Sequence, residues 1–227
     1  MNTVLLIARK EIAHGLNSQM AYLLAMIFVV AMPVPVYWTN TPSNVFLNGN
    51  ADLGFFFTML PLYLMIFIPA MAMRAWAEER QAGTIEMLFT LPIPTSQLVL
   101  GKFLGYYLMI ALSLLATFMV PVLLAGLGNV DWGPVIGGYL GGLLLGAACL
   151  AVAMFAGALT RHQVTAFVSG FVLLAVLMII TIPEINLHSR FANLARGVVD
   201  TRDLGFYLIC TALFLYLNGK LVEARRS

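Results

Sequence analysis

Six stretches of the chain are each long and apolar enough to cross a lipid bilayer, and no other feature constrains the fold as much. A crossing helix needs about 20 mainly apolar residues for a hydrocarbon layer of roughly 30 Å. The runs lie at 20–38, 55–73, 98–125, 135–159, 164–182 and 204–221. They are continuous rather than alternating, which excludes transmembrane β-strands. The segments between them are too short for a core of their own, so 1–227 reads as one all-α polytopic membrane domain. Charge agrees: 10% of residues are charged, against about 25% in soluble domains. A net charge of +2 gives no electrostatic footprint for nucleic acid.

Basic residues orient the spans. With the N-terminus inside, Arg9, Lys10, Arg74, Arg80, Lys102, Arg161, Lys220, Arg225 and Arg226 face the cytoplasm, and only Arg190, Arg196 and Arg202 lie outside. Both termini are therefore expected in the cytoplasm. Trp38, Trp76 and Trp132 fall at span edges, where their rings are expected at headgroup depth. The first run is read as a retained span, because Pro33 and Pro35 precede any small-residue cleavage site.

Before the first span, 3–17 reads as a helix lying on the membrane. Val4, Leu5, Ala8, Ile12 and Leu16 share one face, and Lys10, Glu11, His14 and Asn17 the other. The alternative is a charged end that only sets topology. The loop after the second span is more informative. Gly83 breaks the preceding helix, Thr84 is placed to cap a new one, and Pro92 ends it. Thr95 or Ser96 then caps the third span. The short helix at 84–89 shows Ile85, Met87, Leu88 and Phe89 beside Glu78, Glu79, Arg80 and Glu86. Such an element suits docking into a groove of a cytoplasmic partner. Packing of the same turn on the bilayer stands equally open on these grounds.

The elements Arg9-Lys10-Glu11, Ala77-Glu78-Glu79-Arg80-Gln81-Ala82-Gly83-Thr84-Ile85-Glu86-Met87-Leu88, Leu91-Pro92-Ile93 and Gly101-Lys102 resemble the ABC-2 family of ATP-binding-cassette permeases. Arg196-Gly197-Val198-Val199-Asp200 and Arg202-Asp203-Leu204 resemble its gliding-motility-type branch, which is similar to permeases serving nitrous oxide reductase maturation. The resemblance implies an N-terminal interfacial helix, six spans and a coupling helix at 84–89 that docks on a separate ATPase subunit. Glu78, Glu79, Arg80, Gly83, Thr84, Ile85, Glu86, Leu88, Phe89 and Pro92 would make or frame that contact. It also implies a second permease chain, as homodimer or related heterodimer, and short helical or re-entrant pieces between spans five and six. This chain would bind no cofactor; ATP and magnesium would sit on the partner ATPase. Consistently, no Gly-x-x-x-x-Gly-Lys-[Ser/Thr] phosphate loop occurs in the sequence.

Inside the spans no Asp, Glu, Lys, Arg or His lies at mid-membrane depth, which disfavours an ion-coupled carrier. Lys102 is expected to snorkel to the interface. Span four carries Gly137, Gly138, Gly141, Gly142 and Gly146 at four-residue steps that let backbones approach closely. Packing within the chain and a dimer face both explain the pattern. Met59, Met65, Met71 and Met73 do not share a helical face, and no metal site is expected from them or from Cys149 and Cys210. The outer segment 183–203, with Arg196, Asp200, Arg202 and Asp203, is placed to meet an accessory protein outside or to cap an outer gate. The function expected is the permease subunit of an ATP-driven exporter. The alternative is a membrane subunit that passes ATP-driven motion to a periplasmic partner without transporting anything itself.

Overall fold

In a computed structural model the described residues are 3–34, 53–83, 93–126, 130–180, 186–198 and 200–225. They form α1 (Thr3–Leu16), α2 (Gln19–Ala31), α3 (Gly54–Ala72), α4 (Arg74–Gln81), α5 (Thr95–Ala116), α6 (Met119–Ala125), α7 (Trp132–Leu159), α8 (Gln163–Ile179), α9 (Leu187–Ala195) and α10 (Thr201–Ala224). No strand occurs among the described residues. Four helices are long and apolar enough to cross a membrane alone: Gly54–Gln81 (α3 with α4), Thr95–Ala125 (α5 with α6), Trp132–Leu159 and Thr201–Ala224. The pair α1 and α2 passes only together, bent by 77°, and α8 is a shorter apolar helix of 17 residues. The first run is represented by the 13 residues of α2, and 35–38 lie outside the described residues.

The starts and breaks have local causes. Asp131 accepts from Gly133 N–H at 3.1 Å and opens α7; Asp200 accepts from Arg202 N–H at 2.9 Å and opens α10. Asn186 caps α9, accepting from His188 and Ser189 N–H at 2.8 and 2.9 Å. The third run does not stay one straight helix. It breaks at Thr117 and Phe118, four residues before Pro121, which has no N–H to offer the Thr117 carbonyl. Its start also departs from expectation. Pro94 is the cap residue, and no side chain, neither Thr95 nor Ser96, caps the end.

The core is built around α7, which packs against α3, α5, α8, α9 and α10. Its glycines explain how so many neighbours fit. A Cβ at Gly138 would stand 2.4 Å from the Phe57 ring of α3, and one at Gly142 would stand 2.8 Å from Leu60. On another side, a Cβ at Gly137 would meet the Leu194 carbonyl oxygen at 2.4 Å, and one at Gly141 would meet Leu194 Cβ at 2.9 Å. Gly146 is looser, 3.6 Å from Ile110. These glycines therefore face helices of this same chain. Aromatic packing closes the core around them, with Phe57 edge-on to Tyr139 at 5.5 Å and Phe28 stacked on Phe67 at 4.6 Å.

Candidate functional site

One cluster of polar side chains lies at the end of the bundle where α1, α4 and the start of α5 meet. α1 approaches α5 closely because two of the α5 contact positions are glycine. A Cβ at Gly101 would meet Ile7 at 2.7 Å, and one at Gly105 would meet Glu11 Cβ at 2.6 Å. The close approach brings Glu11 beside Lys102. Lys102 Nζ donates to Glu11 Oε1 at 3.0 Å and to Glu79 Oε1 of α4 at 2.8 Å. Lys10 Nζ stands 3.9 and 3.7 Å from the same two oxygens. Two acids thus face two bases, so the cluster is neutral overall. It has to be, because Lys102 is 2% exposed and Glu11 7%. An unpaired charge so buried would cost several kcal/mol.

Lys102 is therefore an ion-paired core residue and does not snorkel. Trp76, expected at a span edge, packs inside the protein rather than on its surface. It is fully buried on α4, its ring 5.4 Å from Lys102 Nζ, and its indole N–H has no hydrogen-bond partner among the described residues. α1 also turns a different side inward than its apolar pattern suggests. Ala8 and Glu11 are buried, whereas Leu5 and Leu16 are exposed.

Around this centre, α4 is tied again to α1, to the turn between α1 and α2, and to the end of α7. Arg74 donates to Glu78 at 2.9 Å and to the Ser18 hydroxyl between α1 and α2. His14 of α1 stands 3.6 Å from Glu78. Arg80 donates to the carbonyls of Ala158 (2.9 Å) and Thr160, which end α7. Arg225 donates to the neighbouring Leu159 carbonyl at 3.0 Å, bringing the end of α10 to the same place. Orphaned carbonyls at a helix C-terminus are good acceptors for guanidinium groups.

The sequence-predicted residues fall into separate places. Glu78, Glu79 and Arg80 come together on α4, and Gly83 follows at φ +69°, a backbone that ends the helix. Thr84, Ile85, Glu86, Leu88, Phe89 and Pro92 lie outside the described residues. At the other end of the bundle, Arg196, Asp200, Arg202 and Asp203 do not form one group. Asp203 is buried and bound to Arg190 at 2.8 Å and Asn193 at 3.3 Å. Asp200 caps α10, while Arg196 and Arg202 are exposed. Four hydroxyls inside the spans donate to carbonyls three or four residues back, Ser113 to Met109, Thr165 to His162, Ser169 to Ala166 and Thr211 to Tyr207, whereas the Thr117 hydroxyl also meets the Tyr139 hydroxyl of α7 at 3.1 Å. Among the described residues, no three His, Cys, Asp or Glu side chains converge to hold a metal.

Glu11 and Lys102 are the members that residue types alone did not single out as a pair. Their signals were present, in an acid within an otherwise basic N-terminal segment and a lysine inside an apolar run next to Gly101 and Gly105.

Comparison with known proteins bears on the whole arrangement. The family model described as "ABC-2 family transporter protein" matches residues 2–198. A probable ABC transporter permease protein NosY of Stutzerimonas stutzeri is 27% identical over 223 residues, covering 97% of this chain and 74% of that protein. The protein of the same name from Pseudomonas aeruginosa is 33% identical over 171 residues, covering 67% of this chain and 58% of its own length. The helical bundle with its charged end thus has permeases as relatives along nearly its whole length, and the chain belongs to the ABC-2 family of transporter proteins.

Proposed function

We propose that the chain is the permease subunit that couples ATP hydrolysis on separate nucleotide-binding subunits to export across the cytoplasmic membrane. In this reading it crosses six times with both termini inside, α1 lies along the inner surface, and 84–89 forms the coupling helix. A second permease chain completes the path, and an accessory protein meets the outer segment. The placement of residues 196–204 in the gliding-motility-type branch belongs to the same proposal.

The observation that carries the reading is the shared salt bridge of Lys102 with Glu11 and Glu79. It sits five residues before the proposed coupling helix and joins α4 to α1 and α5. Arg80 joins the same helix to the end of α7. A push on the segment that follows Gly83 would therefore reach four helices through short, charge-assisted contacts rather than through a slack loop. The 77° bend between α1 and α2 supports a surface helix followed by a crossing one.

The test is co-expression with the ATPase subunit and reconstitution in vesicles. Glu86→Ala and Leu88→Ala are expected to weaken ATPase association, or to leave hydrolysis intact while transport falls about tenfold, the effect of one lost charge-assisted or buried apolar contact. Full association with full transport in both variants would overturn the coupling assignment.

A further inference from the structure

α10 and the start of α5 separate to leave a groove of about 830 Å³ on the outside of the bundle. Its α5 wall is Thr95, Ser96, Val99 and Leu100; its α10 wall runs from Ala212 through Leu215, Tyr216 and Gly219 to Lys220 and Glu223. The two ends differ. Lys220 and Glu223 form an exposed ion pair at 3.0 Å in the groove that Thr95 and Ser96 also line, whereas Ala212 and Leu215 are apolar. Ala212 to Glu223 is about 16 Å of helix at 1.5 Å per residue. That is close to one leaflet, half of a roughly 30 Å hydrocarbon layer.

Gly219 differs from the glycines that admit neighbouring helices. A Cβ at Gly101, Gly105, Gly137, Gly138, Gly141 or Gly142 would collide with a neighbour, whereas among the described residues one at Gly219, as at Gly205 of the same helix, meets nothing within 4 Å. A glycine inside a helix costs about 1 kcal/mol relative to alanine, and packing within this chain gives no reason for it here. The hollow it leaves opens into the groove.

We propose that this groove binds one phospholipid with a zwitterionic headgroup of the phosphatidylethanolamine type. Its phosphate meets Lys220 and its ammonium meets Glu223, while an acyl chain lies over Gly219 between Leu215 and Val99. A lysine and a glutamate of equal and opposite charge complement a headgroup carrying both signs, and leave no excess cation for an anionic lipid. The depth separates a lipid from a helix of another subunit. The hollow stops half-way through the layer, and beyond Ala212 the same face presents Leu208 and Ile209, which are 62% and 70% exposed. A crossing helix would need a seat along the full layer.

The full-length chain in nanodiscs of equal phosphatidylethanolamine and phosphatidylglycerol is irradiated with phosphatidylethanolamine carrying a photoreactive acyl chain, and the labelled peptides are mapped. Labelling is expected at 95–100 and 212–223, competed by unlabelled phosphatidylethanolamine about tenfold better than by phosphatidylglycerol, the ratio that one charge-assisted contact supports. Gly219→Trp fills the hollow and is expected to abolish that labelling while leaving the unfolding temperature in place. Glu223→Gln, on the exposed surface, is expected to remove the preference between the two lipids. Equal competition by both lipids in the unaltered protein, undiminished labelling of Gly219→Trp, or crosslinking of 212–223 to a protein chain in place of lipid would each overturn the proposal.

Discussion

Lys102 concentrates the energetics of the charged end in one side chain. Its ammonium is shared by Glu11 and Glu79, and its burial leaves no water to replace either partner. Lys102→Ala is expected to destabilise the fold by about 3–5 kcal/mol, because it strands buried carboxylates. Neutralising the cluster as a set, with Glu11→Gln, Glu79→Gln and Lys102→Met together, is expected to cost less than the single change. Thermal unfolding in detergent distinguishes the two, and equal loss in both would show that packing, rather than charge, dominates there. Asn218 makes the opposite case. It is fully buried and neither amide atom has a hydrogen-bond partner among the described residues. An unsatisfied buried polar group costs about 1–3 kcal/mol, so Asn218→Leu is expected to raise the unfolding temperature. A fall would show that the amide meets a partner in another state of the transporter.

At the scale of elements, glycine decides which helices touch. The α7 glycines split between two directions. Gly138 and Gly142 admit α3 and its phenylalanine, whereas Gly137 and Gly141 admit α9 and the turn at Gly197. α9 is only nine residues long and holds on through Leu187, Phe191 and Leu194. Gly137→Val is therefore expected to lift α9 from α7 and cost about 1–3 kcal/mol, the usual penalty of overpacking. Gly146→Ala, with its nearest neighbour at 3.6 Å, is expected to be within about 0.5 kcal/mol of neutral. Limited proteolysis at 187–198 reads the difference, and equal protection of both variants would show that α9 is held from elsewhere.

For the molecule as a whole, the polar clusters lie at opposite ends: Glu11, Glu79, Lys102, Arg80 and Arg225 at one, Arg190, Asn193 and Asp203 at the other. The proposed topology puts the first inside the cell. Cysteines placed at Arg9 and Lys220 should then react with an impermeant maleimide only after permeabilisation, whereas one placed at Arg196 should react in intact cells. Native Cys149 is buried and Cys210 half-buried, so their background is expected to be low. Reaction of Arg9 and Lys220 from opposite sides would contradict an even number of crossings, and reaction of Arg196 from their side would contradict its outer placement.

The sequence determined the class by itself, because long apolar runs in a nearly uncharged chain have no other stable state than helices in a bilayer. Local chemistry also made one helix boundary legible, at Gly83, where a positive φ acts over a few residues, whereas the caps at Asp131 and Asp200 came only with the structure. Packing was not legible in the same way. Glycines at four-residue spacing announce a close neighbour, but one-dimensional spacing carries no information on which neighbour, and a dimer face remained an open reading until Phe57 and Leu194 were seen against them. Lys102 shows the same limit in energetic terms. Hydrophobic pattern placed it at a membrane edge, where water would solvate it; only the crossing of α1, α4 and α5 supplies the two carboxylates that let it be buried instead. Long-range pairing decides where charge goes in this protein, since a buried ion is stable only beside a partner and that partner is 91 residues away.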